Sequence, residues 1–318
     1  MARHRARWSY LRWCPLALVA VTLGACSGSA NQSAQNDSGA AAFPVKLAAA
    51  NGTVTIPRQP QRIVSLSATA TEDLYALGAG GQVVAVDAYS TYPPQAPRTR
   101  LTETSLNIEA IAKYRPDLVV LAEDTNHTVS QLRKLAISVL VEPPASDLSA
   151  VYREIDQLGQ ATGHAADATR VVNDISGELA AIAHSTSRPK RPLRVYHELE
   201  PTFYSATSHT FIGHIYSMLG LQNIADAAHL SGPYPQLSDE YTIAANPNLI
   251  VLADTVCCKQ SAATVAARPG WRDIAAVKDG AVVPVNDSIA SQWGPRIVIF
   301  ARTVAAAVRK LEERERSR

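Results

Sequence analysis

Residues 106–123 read LNIEAIAKYRPDLVVLAE, and residues 237–254 read LSDEYTIAANPNLIVLAD. At one constant offset, Leu106/Leu237, Glu109/Glu240, Pro116/Pro247, Leu118/Leu249, Val120/Val251, Leu121/Leu252 and Ala122/Ala253 are identical. Each copy opens on a cap residue, Asn107 or Ser238, and runs through a short helix and a Pro-containing turn. Each then ends in an apolar run of strand character. A second match lies upstream. Ser67-Ala68-Thr69 leads into a helix that stops at Gly78, and Ser205-Ala206-Thr207 leads into one that stops at Gly220. One plan written twice predicts two similar halves.

Working outward, strands are expected at 62–66, 83–86, 118–121, 138–141, 193–197, 249–252 and 282–285. A hairpin is expected over 45–56, turning at Asn51-Gly52. Several strands are continuous apolar runs, as parallel strands covered on both faces require. Residues 147–187 show no strand pattern. Leu148, Val151, Ile155 and Leu158 recur at helical spacing, Gly163 interrupts, and Val171, Val172, Ile175, Leu179 and Ile182 resume it. The expected class is α/β: two Rossmann-like lobes joined by one long backbone helix, with a ligand cleft between them. The expected boundaries are a leader over 1–25, a linker over 26–43, a first lobe over 44–146, connecting helices over 147–187 and a second lobe over 188–318. The alternative is a single doubly-wound domain with an insertion. A stiff connector predicts closure by a few degrees and little change in radius of gyration on ligand addition.

The chain has 318 residues, 47% of them hydrophobic, enough for buried cores, and its formal net charge of +2 supplies no broad basic field for nucleic acid. Arg3, Arg5, Arg7 and Arg12 all fall in the first 25 residues, which contain no acid, so the remainder is slightly acidic. Trp13 to Leu23 is an apolar run too short to span a bilayer and suited to a secretory signal. Gly24-Ala25-Cys26 resembles a bacterial lipobox. That resemblance implies cleavage before Cys26 and lipid, palmitate included, on that residue, with an ordinary signal peptide as the alternative. Residues 27–43 have the small, polar composition of a spacer. Localisation at the extracytoplasmic face of the membrane follows, with the membrane reached through the N-terminal lipid only.

Cys14 belongs to the leader, leaving Cys257 and Cys258 as an adjacent pair. A vicinal disulfide, two free thiols and a soft-metal site all remain open. No Gly-rich phosphate loop and no Gly-x-Ser-x-Gly elbow occur, and no nucleophile–base pair is recognisable, so neither dinucleotide binding nor hydrolysis is indicated. A bare-metal site would need several His and carboxylates to converge. His197 and His209 are the candidates to reach the cleft, with His209 a candidate axial ligand to a chelated metal.

Aromatic residues are only 6% of the chain, yet six of them fall in loops at the expected carboxyl ends of strands: Tyr89, Tyr92, Phe203, Tyr204, Tyr234 and Trp293. Ligands of open α/β sheets sit at those ends. Together these rings suggest a wide, flat, partly apolar ligand. Arg296 is the one good cationic candidate, which favours a near-neutral ligand.

Arg62-Ile63-Val64-Ser65-Leu66-Ser67, Thr71-Glu72, Leu77-Gly78-Ala79-Gly80, Tyr89-Ser90-Thr91-Tyr92-Pro93-Pro94, Arg115-Pro116-Asp117-Leu118-Val119, Tyr234-Pro235-Gln236-Leu237 and Gly294-Pro295-Arg296-Ile297 form a set. As a set they resemble the cobalamin/iron-siderophore solute-binding proteins of ABC importers, whose two lobes are bridged by a helical backbone. The similarity runs from about residue 45 to 310 and is nearest to the cobalamin binders. It implies a non-enzymatic monomer without a cofactor of its own. The transported ligand would be a corrinoid, or else haem or a ferric siderophore, and the partners an ABC permease with its ATPase. It implies ligand contacts at Tyr89, Tyr92 and Phe203. Tyr234 stands where the family has a tryptophan, and Trp293 offers a ring from the opposite lobe. Other pocket tryptophans of the family have no counterpart near Ser105 or Glu123. Glu72 matches the acid that docks the first lobe on the permease. Ser217 stands at the corresponding place in the second lobe, with Asp226 and Glu240 as substitutes nearby. Independently of the resemblance, Thr69-Ala70-Thr71-Glu72 has the form of a capping box, which would give Glu72 a helix-starting role instead.

Overall fold

The structure, a computed structural model, describes residues 43–186 and 191–317. The leader, Cys26 and nearly all of the linker lie outside the described residues. Among the described residues there are ten strands: β1 Val45–Ala49, β2 Gly52–Ile56, β3 Ile63–Leu66, β4 Val83–Val86, β5 Leu118–Leu121, β6 Ser138–Val141, β7 Arg194–Glu198, β8 Gln222–Asn223, β9 Leu249–Leu252 and β10 Val282–Pro284. They form an antiparallel hairpin and two separate four-stranded parallel sheets, ordered β4-β3-β5-β6 and β8-β7-β9-β10. The two orders are the same order, so the sequence repeat is a repeat of topology. β5 and β9, the strands of the repeated motif, occupy equivalent interior positions and are buried along their whole length. β8 has only two residues and no counterpart among the expected strands. Pro284 is tolerated because β10 is an edge strand.

The repeated motif is held by the same device in both halves. Asn107 and Ser238 cap the helices Ile108–Ala112 and Asp239–Ala245 through their side-chain oxygens. Each helix is followed by a left-handed residue before the shared proline, Arg115 at φ 48° and Asn246 at φ 46°. The residue after the proline then reaches the start of the neighbouring strand. Asp117 Oδ1 accepts from the Arg62 backbone N–H at 2.9 Å, and Asn248 Oδ1 accepts from the Arg194 N–H at 2.9 Å.

The hairpin differs by one residue from expectation. Ala49 pairs with Gly52, so Ala50-Asn51 form the loop and Gly52, at φ +91°, closes it. Asn51 is drawn into that place by β6: its amide donates to Val139 O at 2.9 Å and its carbonyl accepts from Val141 N–H at 3.3 Å.

Between the lobes, helix Leu148–Thr162 turns at Gly163, φ +84°, and folds back as helix Ala165–Ser185. The second has 21 residues, about 31 Å at 1.5 Å per residue. A continuous apolar core runs from the first sheet through both connector helices to the second sheet and the C-terminal helix Ile297–Ser317. The helices approach closely at Gly159, where an added Cβ would lie 2.4 Å from the Ala168 Cβ and 3.1 Å from the His164 carbonyl. Gly159→Ala would gain up to about 1 kcal/mol of helix propensity. Overpacking against a neighbouring backbone costs about 1–3 kcal/mol, so the clash wins. A net loss of up to about 2 kcal/mol in urea unfolding is expected, and a stabilised variant would contradict this packing.

Candidate functional site

All strands of both sheets run parallel within their sheet, so the loops at their carboxyl ends gather on one side of each lobe. The loop after β4 carries Tyr89 and Tyr92, and the loop after β7 carries Phe203 and Tyr204. The segment following β10 carries helix Asp287–Ser291 and then Trp293, Gly294 and Arg296. This last segment crosses to the first lobe. Arg296 donates through Nε to Glu72 Oε2 at 2.8 Å and through Nη2 to Glu72 Oε1. Nη2 also reaches Ser288 Oγ at 3.0 Å and Gln292 Oε1 at 3.2 Å. The guanidinium lies 4.1 Å from the centre of the Tyr92 ring. Gly294 passes so near that a Cβ there would lie 3.2 Å from Asp73 Oδ1. Beside this seam is a hollow of about 290 Å³ lined by Glu72, Tyr75, Tyr92, Gln95, Pro295 and Arg296.

Both sequence readings of Glu72 are thereby corrected. Its side chain is 2% exposed and committed to Arg296, so it presents no acid to a partner surface. Nor does it close a capping box. The cap of helix Ala68–Ala76 is Ser67, whose hydroxyl accepts from Ala70 N–H at 3.2 Å. Arg296, the one cationic candidate for the cleft, is neutralised by the same pair.

Trp293 also differs from expectation. Its indole N–H donates to Glu154 Oε2 of the connector at 2.5 Å and its ring packs on Phe211, so its edge serves the joint between second lobe and connector. Glu154 belongs to a group of buried carboxyls with Asp73 and Glu142. Asp73 Oδ1 and Glu142 Oε1 have no donor. Burial first, and then the neighbouring carboxyls Glu154 and Asp73, push Glu142 up to about 9. Burial raises Asp73 well above the usual carboxylate range, reinforced by Glu154 and Glu72. Glu154 rises to about 7 through burial, with the Trp293 hydrogen bond acting against it. The group therefore carries protons at neutral pH.

On the second lobe, Phe203 takes a left-handed backbone, φ 71°, and stacks on Trp271 with ring centres 5.9 Å apart. The Arg268 guanidinium lies 4.5 Å from the Trp271 ring centre and 5.5 Å from that of Phe203. It forks onto Glu198 through two 2.6 Å hydrogen bonds and reaches Gln260 Oε1 at 2.8 Å. Asp254, wholly buried beside Glu198, has no donor to either oxygen, and burial with the Glu198 charge raises it. Two carboxyls face one cation, and burial beside Glu198 raises Asp254 to about 7. Sequence reading missed Arg268, Trp271, Glu198 and Asp254. The repeat held one clue, because Asp254 stands where Glu123 stands in the first copy.

Tyr89 is 61% exposed, Tyr92 44% and Tyr204 38%, an unusual display for large rings. Tyr234 is half-buried against the core, and desolvation raises its phenol. His197 is fully buried. Its Nδ1 meets the Tyr216 hydroxyl at 2.6 Å, and burial pushes it down to about 3, so it is a neutral core residue and cannot reach a ligand. His209 is exposed and lines a different hollow, with Asp226, Leu230 and Pro233. Ser217 donates to Gly213 O, Asp226 accepts from Ser208 N–H, and Glu240 is at the surface. Cys257 and Cys258 are joined by a disulfide. Among the described residues no group of three or more His, Cys, Asp or Glu is placed to hold a metal ion, and no helix is long and apolar enough to cross a membrane.

Two like parallel sheets joined by a helical connector define a bilobal α/β protein. The periplasmic binding protein family matches residues 63–288, a span that covers both sheets, and the chain belongs to that family. It is similar to the uncharacterized ABC transporter substrate-binding lipoprotein YvrC of Bacillus subtilis, at 31% identity over 310 residues, 93% of this chain and 96% of that protein. It is similar to a cobalamin-binding protein of Halobacterium salinarum, at 33% identity over 312 residues, 93% of this chain and 82% of that protein. Among solved structures it is similar to the periplasmic heme-binding protein RhuT from Roseiflexus sp. RS-1, with a TM-score of 0.69 at 25% identity, covering 79% of this chain and 99% of that one.

Proposed function

We propose that this protein is the lipid-anchored, extracytoplasmic solute-binding component of an ABC importer. It captures a corrinoid between its lobes and delivers it to a permease driven by an ATPase. It performs no catalytic step, and its site needs no resident cofactor. The observation that carries the ligand class is the Arg296–Glu72 pair. The cation at the seam is neutralised within the protein and lies against the exposed Tyr92 ring, and the loops at the strand carboxyl ends also expose Tyr89 and Tyr204. Such a mouth suits a broad, near-neutral chelate held by ring contact rather than by charge. Likeness to a cobalamin-binding protein over most of both chains supports the same ligand. Haem or a ferric siderophore is the second reading, favoured by the likeness to a heme-binding protein.

Equilibrium dialysis of the purified protein against cyanocobalamin, haem and ferric desferrioxamine tests the ligand. Cyanocobalamin is expected to bind one to one in the micromolar range or tighter. Tyr89→Ala with Tyr92→Ala is expected to weaken it at least tenfold without loss of fold. Binding of the siderophore alone would reverse the order. The lipid anchor has its own test. Cys26→Ala is expected to release the mature protein into the medium, and retention in the membrane fraction with the leader removed would refute the anchor.

A further inference from the structure

The adjacent cysteines sit in a loop that the capture reading does not use. Residues 253–260 follow β9 at its carboxyl end, the end that also carries the ring-bearing loops. Cys257 is exposed and Cys258 half-buried. Lys259, immediately after the pair, is held at φ 56°, a left-handed conformation uncommon for a lysine. Non-glycine residues in that region cost free energy and collect at switch and binding segments.

The loop is tied on two sides. On one side, Asp287 accepts from the backbone N–H groups of Val256 at 2.8 Å and Cys257 at 2.7 Å, and from the Thr255 hydroxyl at 3.2 Å. Asp287 opens the helix Asp287–Ser291. Ser288 of that helix, with Gln292 just beyond it, holds the Arg296 guanidinium that lies over Tyr92 and pairs with Glu72. On the other side, Gln260 donates to Cys258 O at 3.2 Å and accepts from Arg268, whose guanidinium covers Trp271 and Phe203. The disulfide loop is thus the bridge between the seam around Tyr92 and the aromatic stack beneath Phe203.

We propose that Cys257–Cys258 is a redox modification site that takes a dithiol as its reductant, and that opening it loosens ligand retention at the seam. The inference rests on the capture reading for the identity of what is retained. A thiolate of the dithiol attacks the exposed Sγ of Cys257, the Cys257–Cys258 bond breaks, and Cys258 leaves as a thiolate. The second thiol of the reductant attacks its own sulfur in the mixed disulfide, releasing Cys257 and closing the reductant's disulfide. Two electrons pass from the dithiol to the protein, and the two thiol protons end on Cys257 and Cys258. Adjacent residues can close only a small ring across one peptide bond. Opening it frees the loop to leave the conformation that presents the Val256 and Cys257 N–H groups to Asp287. Exposure of Cys257 supplies the access that exchange requires.

The test uses the purified full chain and dithiothreitol as the dithiol. Peptide mass after alkylation is expected to show no adduct on the Cys257–Cys258 peptide before reduction and two after it, under native conditions. Hydrogen exchange is expected to quicken over residues 255–260 and 286–293 on reduction while β9 is unchanged. The dissociation constant for cyanocobalamin is expected to rise at least about fivefold. The double variant Cys257→Ser, Cys258→Ser should bind like the reduced protein and ignore the reductant. A pair that resists native reduction, unchanged exchange in both segments, or equal affinity of oxidised and reduced protein would each overturn the proposal. If cyanocobalamin, haem and ferric desferrioxamine all fail to bind even the oxidised protein, the capture reading fails. The adducts and exchange rates then decide the redox site on their own.

Discussion

Arg268→Ala is expected to lower the unfolding free energy by about 3–5 kcal/mol, the scale for removing one partner of a buried ion pair. Among the described residues Arg268 is the cation forked onto Glu198, whose side chain is wholly buried, and neither oxygen of Asp254 beside it has a donor. Truncation would leave one buried carboxylate facing a second carboxyl, and would strip the guanidinium from the faces of Trp271 and Phe203. Urea denaturation measures the loss. Adding Glu198→Gln should restore part of it, because a neutral amide no longer needs the cation. A loss below about 1 kcal/mol, or no recovery in the double variant, would show that this group is not what anchors the Phe203 loop.

The second large effect is on pH dependence. Glu142 has its folded-state pKa raised to about 9, far above the unfolded value of a glutamate. Between those values the folded protein holds a proton that the unfolded chain has released. The stability contributed by this group is therefore fully present at acid pH and is lost as pH rises through the window from about 4.5 to about 9, the opposite of a salt-bridged carboxylate. Asp73 and Glu154, raised for the same reason, act in the same direction. Glu142→Gln removes the titrating group while keeping its shape. We expect little change near pH 5 and a gain of about 2–3 kcal/mol near pH 9, seen as a Tm higher by about 4–8 °C. A parallel pH profile for the two proteins would contradict the protonated state of this group. Since Glu154 holds Trp293, the same titration bears on the joint between connector and second lobe.

Much of the fold was legible because it rests on local signals. Apolar runs such as Leu118–Leu121 and Leu249–Leu252 are strands at their expected bounds. Asn107 and Ser238 cap where the repeat places them, and Gly78 and Gly220 take the left-handed turn after their helices. The Asn51 turn was misplaced by one residue because its side chain answers to β6, far away in sequence. The candidate site was legible only as a set of loops. Tyr89, Tyr92 and Tyr204 are exposed there. What holds those loops joins residues remote in the chain: Arg296 meets Glu72 across 224 residues and Trp293 meets Glu154 across 139. A motif reading assigns Glu72 to a surface or a cap because both are local explanations, and the actual partner is not local. For the same reason Arg268 carries no signal of its own. It matters only because β7 and the loop after β9 bring Glu198 and Asp254 together beneath it.

The claim on which the functional account depends is that one guest touches both lobes at the carboxyl ends of their strands. Hydrogen–deuterium exchange of the oxidised protein with and without saturating cyanocobalamin tests this directly. The account predicts simultaneous protection of residues 87–95 in the first lobe and 199–204 in the second. Protection confined to one lobe, or found instead around the hollow beside β8 that Ser217, Asp226 and Tyr241 line, would contradict it.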